Sequence, residues 1–150
     1  MREVMVMARE ISCQYPNQFP VDIYQIVKDY GIIVDYISIG DEFNGLYLRY
    51  PSPTIAINNR QTLVRQRFTL AHELFHHLTC TNVVNALRFS TSREKTCEER
   101  KAKLFAAHLL MPEQAIRSLM ALGLDKGKLL QAFLVSQEAL DIRLRELRIA

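Results

Sequence analysis

No tryptophan occurs among the 150 residues, and no apolar run approaches the ~18 residues a membrane-spanning helix needs. A membrane span is therefore not expected. The opening segment, Met1 to Glu10, lacks the long apolar stretch and small-residue cleavage site of a secretory signal. Cysteine is scarce: Cys13, Cys80 and Cys97 are an odd number and make no disulfide framework. Reduced thiols in a cytoplasmic protein are the expectation. Charge imbalance is small too, at +3, and 49% of residues are apolar, which excludes a disordered chain. Repeats, low-complexity tracts and flexible linkers are absent. What remains is one globular domain over 1–150, long enough to bury roughly two-thirds of its unfolded surface. Histidine is scarce as well, yet three of the four lie within six residues of each other.

The charge is unevenly spread. Residues 1–59 sum to −3, residues 60–112 to +5 and residues 113–150 to +1. The basic residues of the middle third are scattered rather than in runs, the mark of solvated helix faces. Apolar spacing predicts helices over 1–14 and over 20–30, the second ending at Gly31. The period then changes. Ile32–Ile37, Leu46–Tyr50 and Thr54–Ile57 are short β-branched and aromatic runs, divided by Gly40-Asp41, Asn44-Gly45 and Pro51-Ser52-Pro53. They predict a small, mainly antiparallel three-stranded sheet of meander type. Asn58 or Asn59 can cap a long helix over about 60–80, apolar on most sides and so expected in the core. Residues 81–94 read as loop, followed by helices over about 95–111, from Pro112 to Leu122, over 128–134 and over 137–149. The class is α+β, a small sheet beside a mostly helical core, with a helix-turn-helix-like subregion over 124–150.

The chemistry is concentrated in His72-Glu73-Leu74-Phe75-His76, an H-E-x-x-H on the expected core helix. Histidines four apart share one helical face, so both imidazoles can ligate one ion. Glu73 lies about a hundred degrees round the helix, off the ligand face but within reach of an attacking water. Imidazole donors suit one Zn²⁺, and three protein ligands leave a position for that water. The ion lowers the pKa of the water towards ~7 and the glutamate accepts its proton, which is the chemistry of peptide hydrolysis. Random placement would produce this motif in under about 1% of chains of this composition.

A third ligand is needed. The metzincin extension requires glycine and histidine where Thr79 and Asn82 stand, which excludes that class. A later carboxylate is the common alternative, and Glu94, Glu98 and Glu99 are those available before Pro112. Helical phase does not choose between Glu98 and Glu99, since both lie at the edge of the apolar face.

The stretches Arg67-Phe68-Thr69-Leu70-Ala71-His72-Glu73-Leu74-Phe75-His76-His77 and Glu99-Arg100-Lys101-Ala102-Lys103-Leu104-Phe105-Ala106-Ala107-His108-Leu109-Leu110-Met111-Pro112 together resemble the ImmA/IrrE metallopeptidases. The family pattern joins R-F-T-x-A-H-E-x-x-H to E-x-x-A-x-x-F-A-x-x-L-L-M-P. Lys103 stands for the usual asparagine and Phe75 for the usual glycine, and neither change removes a ligand. The resemblance implies His72, His76 and Glu99 as zinc ligands and Glu73 as general base. It also implies a substrate class, Xre-like helix-turn-helix repressors cut at a specific site.

Other candidates fall to simpler readings. Cys80 lies about 12 Å along the helix from His72, too far to share its ion comfortably. His77 is turned off the ligand face, with a place in the second shell open to it. His108 is out of phase with Glu99. Tyr36, Tyr47 and Tyr50 offer oxyanion donors without distinction. The segment 129–144 looks like a helix-turn-helix, but its second helix balances Glu138, Asp141 and Glu146 against Arg143, Arg145 and Arg148, which argues against DNA binding. The sequence therefore predicts a zinc-dependent endopeptidase acting on a protein partner. A metal-stabilised anti-repressor that binds such a repressor without cutting it is the competing reading.

Overall fold

The computed structural model describes residues 1–16, 19–79 and 96–149, and the backbone of 87–91. Within these the order is α1 (Arg2–Cys13), α2 (Ile23–Asp29), β1 (Ile33–Ile37), β2 (Phe43–Leu48), β3 (Thr54–Asn58), α3 (Leu63–Thr79), β4 (Leu87–Thr91), α4 (Cys97–Leu110), α5 (Glu113–Ala121), α6 (Lys126–Phe133) and α7 (Gln137–Glu146). The class is α+β, as the change of period from helical to alternating predicts.

The sheet differs from the expected meander. It has four strands in the order β1-β3-β2-β4; β1 pairs with β3 in parallel, while β2 is antiparallel to both β3 and β4. Residues 38–42 do not return the chain beside β1. They cross the end of β3, which is left in the interior, and its Ile55, Ala56, Ile57 and Asn58 are all buried. The fourth strand falls in the stretch expected to be loop.

Asn58 explains the crossing. Instead of capping the next helix, its buried amide donates through Nδ2 to the carbonyls of Ile39 (3.3 Å), Gly40 (3.2 Å) and Phe43 (2.8 Å). Its Oδ1 accepts from the N–H groups of Ile39 (3.4 Å) and Arg60 (3.1 Å). One side chain thus satisfies the polar backbone of a loop that has no ladder of its own. The cap on α3 comes from Thr62, whose hydroxyl accepts from Arg65 N–H.

Asn44-Gly45, a hairpin signal in isolation, lies inside β2 at a bulge. A Cβ at Gly45 would stand 2.8 Å from the Ala56 carbonyl oxygen and 3.3 Å from Thr69 Cγ2. The glycine is there for close approach of β2 to its neighbours rather than for a turn.

Helix α2 begins later than expected because Asp22 caps it, accepting from Gln25 N–H. Its end is a Schellman turn: Gly31 has φ +77°, its N–H donates to Lys28 O, and Ile32 N–H reaches Val27 O. The core lies where α3 meets the sheet on one side and α4 on another, with Phe75 and Phe105 rings 5.5 Å apart. Helix α1 packs on α4 through Val4, Ala8 and Ile11. Arg67 is buried and donates from Nη2 to Val21 O at 2.7 Å, fixing α3 against the entry to α2. Helices α6 and α7 are joined by residues 134–136, in which Leu134 takes the left-handed conformation and Ser136 caps α7. Among the described residues no helix is long and apolar enough to cross a membrane.

Candidate metal centre

Two helices build the site. His72, Glu73 and His76 lie in the middle of α3, where the alternation of core contacts buries them almost fully. Four-residue spacing puts His72 Nε2 and His76 Nε2 3.3 Å apart. Helix α4 supplies the third donor. Glu99 Oε2 is 2.8 Å from His72 Nε2, and Glu99 Oε1 is 2.8 Å from His76 Nε2. The ligand-type atoms of these three residues all lie within 4.8 Å of one another.

The first turn of α4 prepares this carboxylate. Thr96 caps the helix, its hydroxyl accepting from Glu99 N–H at 3.2 Å. The sequence T-x-x-E is a capping-box pattern in which the glutamate usually bends back to the cap. Here the Glu99 side chain goes to the histidines instead. Its position in the first turn also sets the anion against the positive end of the helix dipole.

The geometry separates the two carboxylates that helical phase left open. Glu99 is 2% exposed and between the imidazoles, whereas Glu98, one position earlier, faces solvent. Glu94 and Cys80 lie outside the described residues. Cys13 and Cys97 are exposed free thiols.

The donor set fits a divalent cation. Donors ~2.0–2.1 Å from a shared tetrahedral ion stand about 3.3 Å apart, and the two imidazole nitrogens already do. Two neutral nitrogens and one carboxylate oxygen are the chemistry of a Zn²⁺ site with one position left over. Buried without an ion, a carboxylate between two histidines would hold its charge in a desolvated pocket.

His77 points away from the donors, as its helical phase requires. Its Nδ1 is 2.8 Å from the hydroxyl of Tyr47, a fully buried residue of β2. Burial, with Arg49 adding to it, holds the His77 ring below the ordinary histidine value. Tyr47 is thereby committed to His77, while Tyr36 and Tyr50 are exposed. The Tyr47–His77 pair had no local signature in the sequence, because its partners are thirty positions apart.

His108 faces the C-terminal helices. Its Nε2 is 3.3 Å from Glu146 Oε2 and 3.3 Å from Arg143 Nη1. Arg143 is buried and donates from Nε to Met111 O, so α7 is anchored where α4 ends. Burial and the Arg143 charge push the His108 ring below its ordinary pKa, against a smaller opposing pull from Glu146 and Glu113.

A cleft of about 500 Å3 opens at His72. Helices α3, α4 and α7 line it, together with Asn44 of β2, Thr62 and the 134–136 connection.

Residues 27–145 match Peptidase_M78, the IrrE N-terminal-like domain. The chain belongs to this family. No curated protein matches the sequence. Among solved structures, a Mycobacterium tuberculosis transcriptional regulator shares the fold with a TM-score of 0.69 at 16% identity. The match covers 96% of this chain and 46% of that one, so this chain spans about half the length of the regulator.

Proposed function

We propose that the chain is a zinc-dependent endopeptidase that makes a site-specific cut in an Xre-like helix-turn-helix repressor. One observation carries this reading: His72, His76 and Glu99 converge from two helices, His72 also lines a cleft, and Glu73 lies beside His72 on the same helix. His72, His76 and Glu99 would hold the ion. Bound there, a divalent cation supplies Lewis-acid chemistry and brings water within reach of deprotonation near neutral pH.

The remaining work falls to the protein. Glu73 is fully buried and one position from His72. It takes the proton from the attacking water and returns it to the leaving amine, the role of a general base that becomes a general acid. Thr96 fixes the first turn of α4 through the Glu99 backbone N–H, and the Glu99 carboxylate reaches the histidines from there. Tyr47 fixes the His77 ring beside the motif, so His77 steadies α3 next to His76. Membership of the peptidase family and the fold shared with a transcriptional regulator both support a role in regulator processing.

The test is Glu73→Gln. The variant should retain one zinc per chain by metal analysis and lose cleavage of a co-expressed Xre-like repressor from the same genome. Cleavage that persists in this variant would falsify the role of Glu73. A metal-stabilised anti-repressor is the second reading, favoured by the way the donors tie α3 to α4. On that reading Glu73→Gln still releases an intact repressor from its operator in a gel-shift assay.

A further inference from the structure

Helix α1 presents two faces. Val4, Ala8 and Ile11 are buried where it packs on α4. Arg2, Met5, Val6 and Arg9 recur at three- and four-residue spacing on the opposite side, all of them exposed. Met5 is 37% and Val6 46% exposed, so two large apolar side chains face solvent on a helix whose packing face is already used. The charges around them are ordered. Arg2-Glu3 opens the helix, and Arg9-Glu10 repeats the pair one heptad later. Val6 stands midway: Arg2 and Glu10 are each four positions from it, Glu3 and Arg9 each three. All four charged side chains are exposed, and none makes an ion pair among the described residues.

We infer that this face docks a second copy of the chain, α1 against α1 in antiparallel sense about a two-fold axis at Val6. The charge order selects that occupant. Turned end for end, the sequence sets Arg2 opposite Glu10 and Glu3 opposite Arg9, and the two-fold doubles these to four ion pairs. A parallel pair would instead set each charge against itself. Val6 meets its equivalent on the axis with Met5 alongside, so the apolar part of the face lies at the centre and the charges at the rim. Two residues of each sign leave the face neutral, which gives no pull on a phosphate backbone or an anionic lipid surface. Helix α1 has 12 residues and is about 18 Å long. The contact therefore falls below a standard interface, and the dimer forms reversibly at micromolar concentration. The second copy bears on the reverse of the helix that braces α4, which carries Glu99. The pairing is independent of the peptidase reading.

The test is sedimentation velocity on the full-length chain from about 5 to about 200 μM. The wild type should show a reversible monomer–dimer equilibrium that weakens as salt rises. Val6→Glu puts two like charges on the axis and should weaken the dimer roughly tenfold or more. Arg2→Glu with Arg9→Glu makes the charges of the face wholly acidic, and Glu3→Arg with Glu10→Arg makes them wholly basic. Each of these proteins should stay monomeric alone. Mixed in equal amounts, the two should form a heterodimer at least as readily as the wild type pairs with itself. Every substituted position is exposed, and circular dichroism and melting on dilute samples confirm that the variants fold. A wild type that stays monomeric throughout overturns the assignment. So does a dimer indifferent to both charge reversals, or a pair of folded reversed variants that do not associate when mixed.

Discussion

Asn58 is the side chain on which the crossing of residues 38–42 depends. Replacing it with alanine removes five side-chain hydrogen bonds, spanning 2.8 to 3.4 Å. Two of them, at 3.3 and 3.4 Å, are long enough to contribute little. The three shorter ones, to Phe43 and Gly40 and from Arg60, contribute about 1 kcal/mol each, or roughly 3 kcal/mol together. The Phe43 carbonyl keeps a second donor, Gln61 Nε2 at 3.3 Å, so its loss is partial. At ~2–4 °C per kcal/mol for a chain of this size, Asn58→Ala should lower Tm by about 6–12 °C. The midpoint of urea unfolding should fall while the slope stays unchanged. Asn58→Asp is the sharper comparison. It keeps the shape but turns a donor that serves three carbonyl oxygens into an acceptor, and it should be worse than alanine. The Asn58 reasoning fails if alanine costs under about 1 kcal/mol, or if aspartate is the milder change. Zinc uptake should survive both, since every proposed donor lies on α3 and α4.

Other perturbations probe the centre, the C-terminal anchor and the sheet. Zinc at a hundred times its Kd should stabilise the wild-type chain by ~2.7 kcal/mol, or about 5–10 °C in a thermal scan, and Glu99→Ala should abolish most of that shift. An equal shift in both proteins removes Glu99 from the ligand set. His108 is held neutral in the fold by burial beside Arg143, while the unfolded ring takes a proton near pH 6.5. Its contribution to stability is complete above pH 6.5 and declines as pH falls towards the lowered folded value. His108→Gln should accordingly flatten the urea midpoint against pH below 6.5, and parallel profiles for the two proteins would count against it. Gly45→Ala should cost ~1–3 kcal/mol, because the new methyl meets the Ala56 carbonyl at 2.8 Å. An unmoved midpoint would show that β2 has room to retreat.

What could be read from the sequence was what depends on neighbours a few positions apart. The helix spacing of His72 and His76 and the helix stop at Gly31 are local and legible, whereas the caps at Asp22 and Ser136 are seen only in the fold. Glu98 and Glu99 could not be separated by phase, because the choice depends on which edge of α4 faces α3. Asn58 and Asn44-Gly45 misled for a related reason: each carries a strong local signal, for a cap and for a turn. In the fold each answers instead to a tertiary need, a loop without partners and a close strand crossing. Parallel pairing of β1 with β3 was invisible, since the crossing of residues 38–42 decides it and side-chain alternation does not. The cleft was equally hidden. Its walls are matching faces of three helices drawn from residues 64–146, and only packing aligns them.

Glu99 and the two histidines are separated by residues 77–98 of the chain, yet their donor atoms stand within hydrogen-bonding distance. Closing that excursion costs chain entropy, which the packing of α3 on α4 and the contacts of Glu99 with the two histidines offset. An ion shared among them would act as a removable crosslink between the middle of α3 and the start of α4. Occupancy would then tie the mechanical integrity of the helix pair to its chemical competence. A chelator would loosen the first turn of α4 and silence the site in the same event.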